Sequence, residues 1–221
     1  MKVVAVPVKD LVNAKQRLVG ALSPWERRAL AHAMLHDVLR SLIAAPLDAR
    51  WVVTRDAEVA TLARDVGVEV IHEELNRGHT AAVATAQAAA VQAGARVFAT
   101  IPGDAPCVTA EEIRSLMACA DGEGPAAVFA PSHSGLGTNG AALAPPAAMP
   151  LTFGEPSFEA HLRTARAHGL VAHVLTLPGL GLDVDGPADL ALLLAHGGAT
   201  ESGRLLARWS IAERLATGSR R

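Results

Sequence analysis

The chain has 221 residues, half of them hydrophobic but only 3% aromatic, with no tyrosine and with 20 basic against 22 acidic side chains. A chain this long buries roughly 70–75% of its unfolded surface, so it needs neither disulfides nor a structural metal to be stable. The net charge of -2 gives no bulk attraction to nucleic acid or to a membrane surface, so any ligand has to be held by local groups.

The run from Val3 to Val8 is too short for a signal peptide's apolar region and leads straight into Lys9 and Asp10. Strands are predicted over residues 2–6, 51–54, 68–71, 96–101 and 126–130, each a short run rich in Val, Ala or Ile. Helices are predicted over 24–44, 57–65, 79–93 and 109–120. The Ala-rich stretch 81–99 is broken by Gln87, Gln92 and Arg96, which argues against a membrane span. Strands alternating with amphipathic helices imply βαβ units, an α/β fold with a three-layer, mostly parallel sheet. Such strands are apolar throughout because helices cover both faces. Residues 139–144, entered through a Gly-rich turn, are predicted as a reversed strand at the edge of a mixed sheet. Ser23-Pro24, Thr109 with Glu112, and Asp185-Gly186-Pro187 mark helix starts. The segment 200–217 spaces Leu205, Trp209, Ala212 and Leu215 as one C-terminal helix that docks on the domain or on a second subunit. Gly218 to Arg221 reads as a frayed tail. Cys107 and Cys119 lack CxxC spacing, which favours a reducing compartment, and a single cytoplasmic domain spanning 1–221 is expected.

In an open α/β sheet, ligands bind beyond the carboxyl ends of the strands. Three segments there carry polar residues. The loop after strand one holds Lys9, Lys15 and Arg17, cations suited to phosphates or to a solvated surface. That loop carries no GxGxxG, and the chain has no P-loop. Strand four ends in Ile101-Pro102-Gly103-Asp104, where the carboxylate is either a ligand or the cap of the next helix. In Leu182-Asp183-Val184-Asp185, alternation places both acids on one side. At ~4 Å and an effective dielectric of ~20 their repulsion is about 4 kcal/mol, which a hard divalent cation would reverse.

The segments VPVKDLVNAKQRL, SPWERRALAHAMLHDVL, IPGDAPCVT, GTNGAAL with FGEPSFEAH, and LDVDGPADL occur in that order. Together they resemble the guanylyltransferases of coenzyme F-420 biosynthesis, within the nucleotide-diphospho-sugar transferase type of Rossmann-like fold. The resemblance runs from residue 3 to about residue 195 and implies transfer of GMP from GTP to a small phosphorylated three-carbon acid, with release of pyrophosphate. By the same resemblance, Lys15, Asp104 and Asp183 are catalytic, and Asp104, Asp183 and Asp185 hold Mg²⁺. Lys9 and Arg17 assist at the triphosphate, and Thr138, Gly154 and Ser157 hold the acid. Ser157 also reads as a helix cap, Asp185 as a ligand or a cap, and His161 as an assistant or a packed helical residue. Thr80 stands where the family carries Asn, with Asn76 or Arg77 as compensating residues. The acceptor is 2-phospholactate, phosphoenolpyruvate or 3-phosphoglycerate. The expected partners are GTP, the acid, a downstream transferase and a second copy of the chain. Alternatives are another nucleotidyltransferase of this fold, with a molybdopterin or sugar-phosphate acceptor, or a noncatalytic nucleotide-binding regulator.

Overall fold

The computed structural model describes residues 1–11, 14–75 and 77–218. Asn76 and the tail 219–221 therefore lie outside the described residues, as do Val12 and Asn13.

The described strands form one sheet: β1 (Lys2–Pro7), β2 (Ala49–Thr54), β3 (Glu69–His72), β4 (Val97–Thr100), β5 (Ala126–Pro131), β6 (Thr138–Ala144) and β7 (Val171–Val174). Their spatial order is β3-β2-β1-β4-β6-β5-β7, and only β6 runs against its neighbours. The helices are α1 (Pro24–Ala44), α2 (Ala57–Asp65), α3 (His79–Gln92), α4 (Ala110–Ala120), α5 (Phe158–Ala167), α6 (Pro178–Gly181), α7 (Pro187–His196), α8 (Glu201–Arg208) and α9 (Ile211–Gly218).

Alternation along β1 shows why the sheet needs cover on both sides. Val4 and Val6 face the core beneath α1, α4 and α7, while Val3 and Ala5 face the core beneath α3 and α5. Helix α1 lays Leu30, Met34, Val38 and Leu42 on the first core at intervals of four residues, all essentially inaccessible. It starts with a capping box: Ser23 Oγ accepts from Glu26 N and Glu26 Oε2 accepts from Ser23 N. Thr109 and Glu112 do the same for α4.

Strand β6 was expected at an edge and lies in the interior, between β4 and β5. All seven of its residues are buried, and its composition, TNGAALA, explains how. Small side chains let α4, α6 and the far-side residues close on both faces. A Cβ on Gly140 would come within 2.7 Å of Leu180 Cδ2. The true edge strand on that side, β7, escaped the sequence reading because its exposed Val171-Ala172-His173-Val174 carries no buried apolar run.

The C-terminal segment, expected as one helix, is two. It breaks at Trp209-Ser210, where Ser210 adopts a left-handed φ of 52°. Both pieces pack on α1 and its entry loop in the same chain. Buried Asp37 accepts from Glu201 N, Ser202 N and Ser202 Oγ at 2.8–2.9 Å, which satisfies the α8 N-terminus. Arg214 of α9 grips Glu26 and the Ala21 carbonyl. No helix among the described residues is long and apolar enough to cross a membrane.

Candidate functional site

The carboxyl ends of β1, β4 and β5 meet the start of β6 at one rim, because β6 runs backwards and begins where its neighbours finish. A cleft of about 680 Å³ opens there, within the size range of small-molecule sites. The predicted residues Lys9, Lys15, Arg17, Asp104, Thr138, Gly154, Ser157, Asp183 and Asp185 all line it.

The loop after β1 is pinned at both ends. Val8 N donates to the Val53 carbonyl at 2.9 Å, and Leu11 N donates to Asp56 Oδ2 at 3.0 Å. Asp56 also caps α2 with its other oxygen. Lys15 follows in a left-handed conformation (φ 58°, ψ 44°) that costs a non-glycine residue roughly 1 kcal/mol. A 3₁₀ turn over Gln16–Leu18 then buries Leu18. The strained backbone turns the Lys15 side chain inward, where it is only 7% exposed.

Its ammonium lies between two carboxylates, in a short contact with Asp104 Oδ2 and 3.0 Å from Asp185 Oδ1. Burial alone would lower the Lys15 pKa, but Asp104 and Asp185 hold it above the ordinary lysine value. Burial likewise pushes Asp104 up, but Lys15 outweighs it and His79 adds to the lowering, so Asp104 stays ionised below the usual carboxylate range. Arg17 reaches Asp185 only loosely, at 3.6 Å, from an exposed position, and Lys9 is exposed on the cleft wall.

Asp104 is not a helix cap, since Thr109 fills that role for α4. Its carbonyl instead accepts from Val184 N at 3.1 Å, which ties the two acidic segments together. With Val184 buried on the other side, Asp183 and Asp185 both face the cleft. Nor does Asp185 cap α7: the Asp189 carboxylate accepts from Gly186 N at 2.7 Å and Asp185 N at 2.9 Å, leaving the Asp185 carboxylate to the cations. Asp183 Oδ1 accepts from Asn139 Nδ2 at 2.9 Å. Burial raises the Asp183 pKa, Asn139 partly opposes this, and nearby Asp104 and Asp185 raise it further.

Sequence reasoning passed over three residues here. Asn139 spends its amide on Asp183 and on the Leu180 and Gly181 carbonyls, so it fixes both the acid and the loop that carries it. His79 opens α3 directly after Gly78, which has φ 94°, and its ring meets Phe153 edge-on at 4.7 Å. Burial lowers the His79 pKa, so the ring tends to the neutral form against the acids. Phe153 completes that wall. A helix-opening histidine after a glycine was the one local signal available.

Thr80 is committed to the protein. Its Oγ1 accepts from Phe153 N at 2.9 Å and donates to Phe153 O at 3.3 Å, which fastens the 152–154 loop to α3. At the other end of the cleft, Ser157 makes no side-chain cap. Its Oγ accepts from Thr138 N at 3.1 Å and lies 3.4 Å from Thr138 Oγ1. Gly154 sits beside them at φ 133°, a conformation that only glycine adopts freely.

The donor set around Lys15 is all carboxylate oxygen, which suits a hard cation such as Mg²⁺ and no thiophilic metal. Among the described residues, no three His, Cys, Asp or Glu side chains already converge on one point. Lys15 itself occupies the position between Asp104 and Asp185.

The fold has known counterparts. A putative nucleotide-diphospho-sugar transferase from Desulfovibrio desulfuricans G20 superposes with a TM-score of 0.79 at 14% identity, over 98% of this chain and 97% of that one. A CMP:2-keto-3-deoxy-manno-octonic acid synthetase complexed with CTP does so at 0.60 and 13%, over 88% and 97%. These likenesses show the fold. In sequence, the chain is 38% identical to the phosphoenolpyruvate guanylyltransferase of Rubrobacter xylanophilus over 87% of this chain and 93% of that protein. It is 34% identical to the 2-phospho-L-lactate guanylyltransferase of Methanothermobacter thermautotrophicus over 98% and 94%. The family model described as "Guanylyl transferase CofC like" matches residues 1–221. The family model, the relatives in sequence and the fold agree: this chain is a nucleotidyltransferase and belongs to the CofC-like guanylyltransferase family.

Proposed function

We propose that the chain transfers GMP from GTP onto the phosphate of a three-carbon phosphoacid, releasing pyrophosphate, as a step toward coenzyme F-420. The observation that carries this reading is the division of the cleft. One end holds Lys15 among Asp104, Asp183 and Asp185; the other presents Thr138, Ser157 and Gly154.

The acid's own phosphate is the nucleophile, so the enzyme needs no serine, cysteine or general base. Its task is to bring two polyanions together in line and hold them there. Asp104, Asp183 and Asp185 are the residues that would hold Mg²⁺, which when bound neutralises charge on the triphosphate and the attacking phosphate. With a cation held by the aspartates, Lys15 would turn its ammonium to the triphosphate, with Lys9 and Arg17 behind it. Asn139 keeps Asp183 aimed at the cleft. At the acceptor end, the Thr138 and Ser157 hydroxyls and the open backbone at Gly154 bind the acid's anionic groups.

The relatives named for phosphoenolpyruvate make that acid the first to test. Each of phosphoenolpyruvate, 2-phospholactate and 3-phosphoglycerate should be incubated with GTP and Mg²⁺ while pyrophosphate release is followed. CTP, ATP and UTP serve as competing nucleotides. Release with one acid and GTP is expected; release with none of them refutes the proposal. The product joins GMP to the acid through a diphosphate, an activated link that a second transferase must consume. A homodimer also belongs to this reading, tested by light scattering of the full chain.

A further inference from the structure

His161 lies in the wall behind the acceptor end of the cleft, 1% exposed and not among the described residues that line it. Its ring stacks on Phe129, 5.2 Å between centroids and 5° from parallel, and Phe153 meets it edge-on at 5.1 Å. The ring therefore cannot rotate, and each nitrogen faces one fixed partner. Thr152 N lies 3.1 Å from Nε2 and can only donate, so Nε2 is the bare nitrogen. The proton of the neutral ring is then on Nδ1, which donates to Thr138 Oγ1 at 2.9 Å.

Thr138 Oγ1 has a second donor. Ser157 Oγ accepts from Thr138 N, and its own hydroxyl proton points to Thr138 Oγ1 at 3.4 Å. A hydroxyl has two lone pairs and one proton. Both lone pairs of Thr138 are occupied by Nδ1–H and Ser157 O–H. The remaining proton has one direction left, away from both donors and into the cleft, which Thr138 lines.

We propose that His161 is a positioning residue that makes the Thr138 hydroxyl an obligate donor toward an anionic oxygen of the acid substrate. The proposal rests on the acceptor-site reading above and adds the group that gives this site its polarity. A hydroxyl free to rotate would also accept from water or from a neutral ligand hydroxyl. Held by Nδ1–H, Thr138 favours a charged acceptor and pays no reorientation on binding.

Two measurements test it. Nitrogen NMR of histidine-labelled protein at neutral pH, without substrate, should show one histidine as the neutral Nδ1–H tautomer, absent from His161→Phe. An Nε2–H tautomer or an imidazolium at His161 overturns the proposal. Next, phosphoenolpyruvate, 2-phospholactate and 3-phosphoglycerate are titrated calorimetrically into wild type, His161→Phe and His161→Asn, with GTP titrated separately. His161→Phe keeps the stacked ring without the donor, and should weaken binding of the acid about 10-fold, the scale of one charge-assisted hydrogen bond, with GTP affinity within about two-fold. His161→Asn, which returns an N–H near Nδ1, should recover part of the loss. Unchanged acid binding in His161→Phe overturns the proposal, and so does an equal loss of GTP binding. If wild type binds none of the three acids, the acceptor reading fails, and the tautomer alone decides whether His161 orients Thr138.

Discussion

Replacing Lys15 with Met keeps the side chain as far as Cε and removes the ammonium from between Asp104 and Asp185. A unit charge ~3 Å from a carboxylate gains about 5.5 kcal/mol at an effective dielectric of ~20 and about 1.4 kcal/mol in bulk water. Asp104 and Asp185 are 34% and 49% exposed, so their two contacts belong toward the watery end of that range. Burying the Lys15 head offsets part of the gain. The net loss on replacement should be about 2–4 kcal/mol of folding stability in the nucleotide-free protein, read by denaturant unfolding. The same change should act oppositely on metal. In the wild type a divalent cation has to displace Lys15; in Lys15→Met it meets two uncompensated carboxylates with Asp183 close by. Mn²⁺ titration followed by electron paramagnetic resonance, without nucleotide, should therefore show at least about ten-fold tighter binding in the variant, even as guanylyl transfer collapses. Equal or weaker Mn²⁺ binding in Lys15→Met would refute the idea that the lysine stands where the cation goes.

Asn139→Ala frees Asp183, strips the Leu180 carbonyl of the Asn139 amide and leaves the Gly181 carbonyl to His133 N; turnover should fall at least about ten-fold and stability by about 1–3 kcal/mol. Burial lowers the His161 pKa to about 4, below its unfolded value, so the unfolded chain binds the extra proton first. That contribution is complete above about pH 6.5 and is lost as pH falls toward 4, about 3 kcal/mol in all. His161→Phe should flatten this stretch of the stability–pH curve, measured by thermal unfolding. Arg214 lowers the Glu26 carboxyl to about 2, so the Arg214–Glu26 link contributes above pH 4.5 and is lost on acidification toward pH 2. Arg214 is 41% exposed, so Arg214→Ala should cost only about 1 kcal/mol at neutral pH, and its cost should vanish in acid.

Much of the layout was legible because two kinds of residue are read locally. Buried parallel strands such as β1 and β4 need apolar side chains on both faces, and Ser23, Thr109 and Glu112 announce helix starts whatever surrounds them. The acids at 183 and 185 were legible for the same reason, since alternation is a local property of extended chain. What escaped was set by the rest of the molecule. The interior place of β6 depends on which strands flank it, and a run of Gly and Ala suits an edge or a tightly covered centre equally. The partners of Lys15 lie 89 and 170 residues away in sequence. Asn139 and His161 look like ordinary core polar residues until their acceptors are located. Neither glycine nor proline marks the break at Trp209-Ser210; the pull of Arg214 toward Glu26 places α9 after the turn.

The reversed strand also makes the turn before it a junction. The turn between β5 and β6 opens onto the cleft, and the outer neighbours hold the two strands only away from it, β4 against Ala141, Ala142 and Leu143 of β6 and β7 against Ala126, Ala127, Val128 and Phe129 of β5. Residues 132–137 are tied outward by His133 N on the Gly181 carbonyl and by Ser157 N and Phe158 N on the Leu136 carbonyl, while Lys15, Asp104 and Asp185 hang from other loops. Under the proposed reading, a change in this turn reaches the acid's end of the cleft through Leu136 and Ser157 and the segment of Asp183 through His133 and Gly181, so the two ends cannot be retuned independently there.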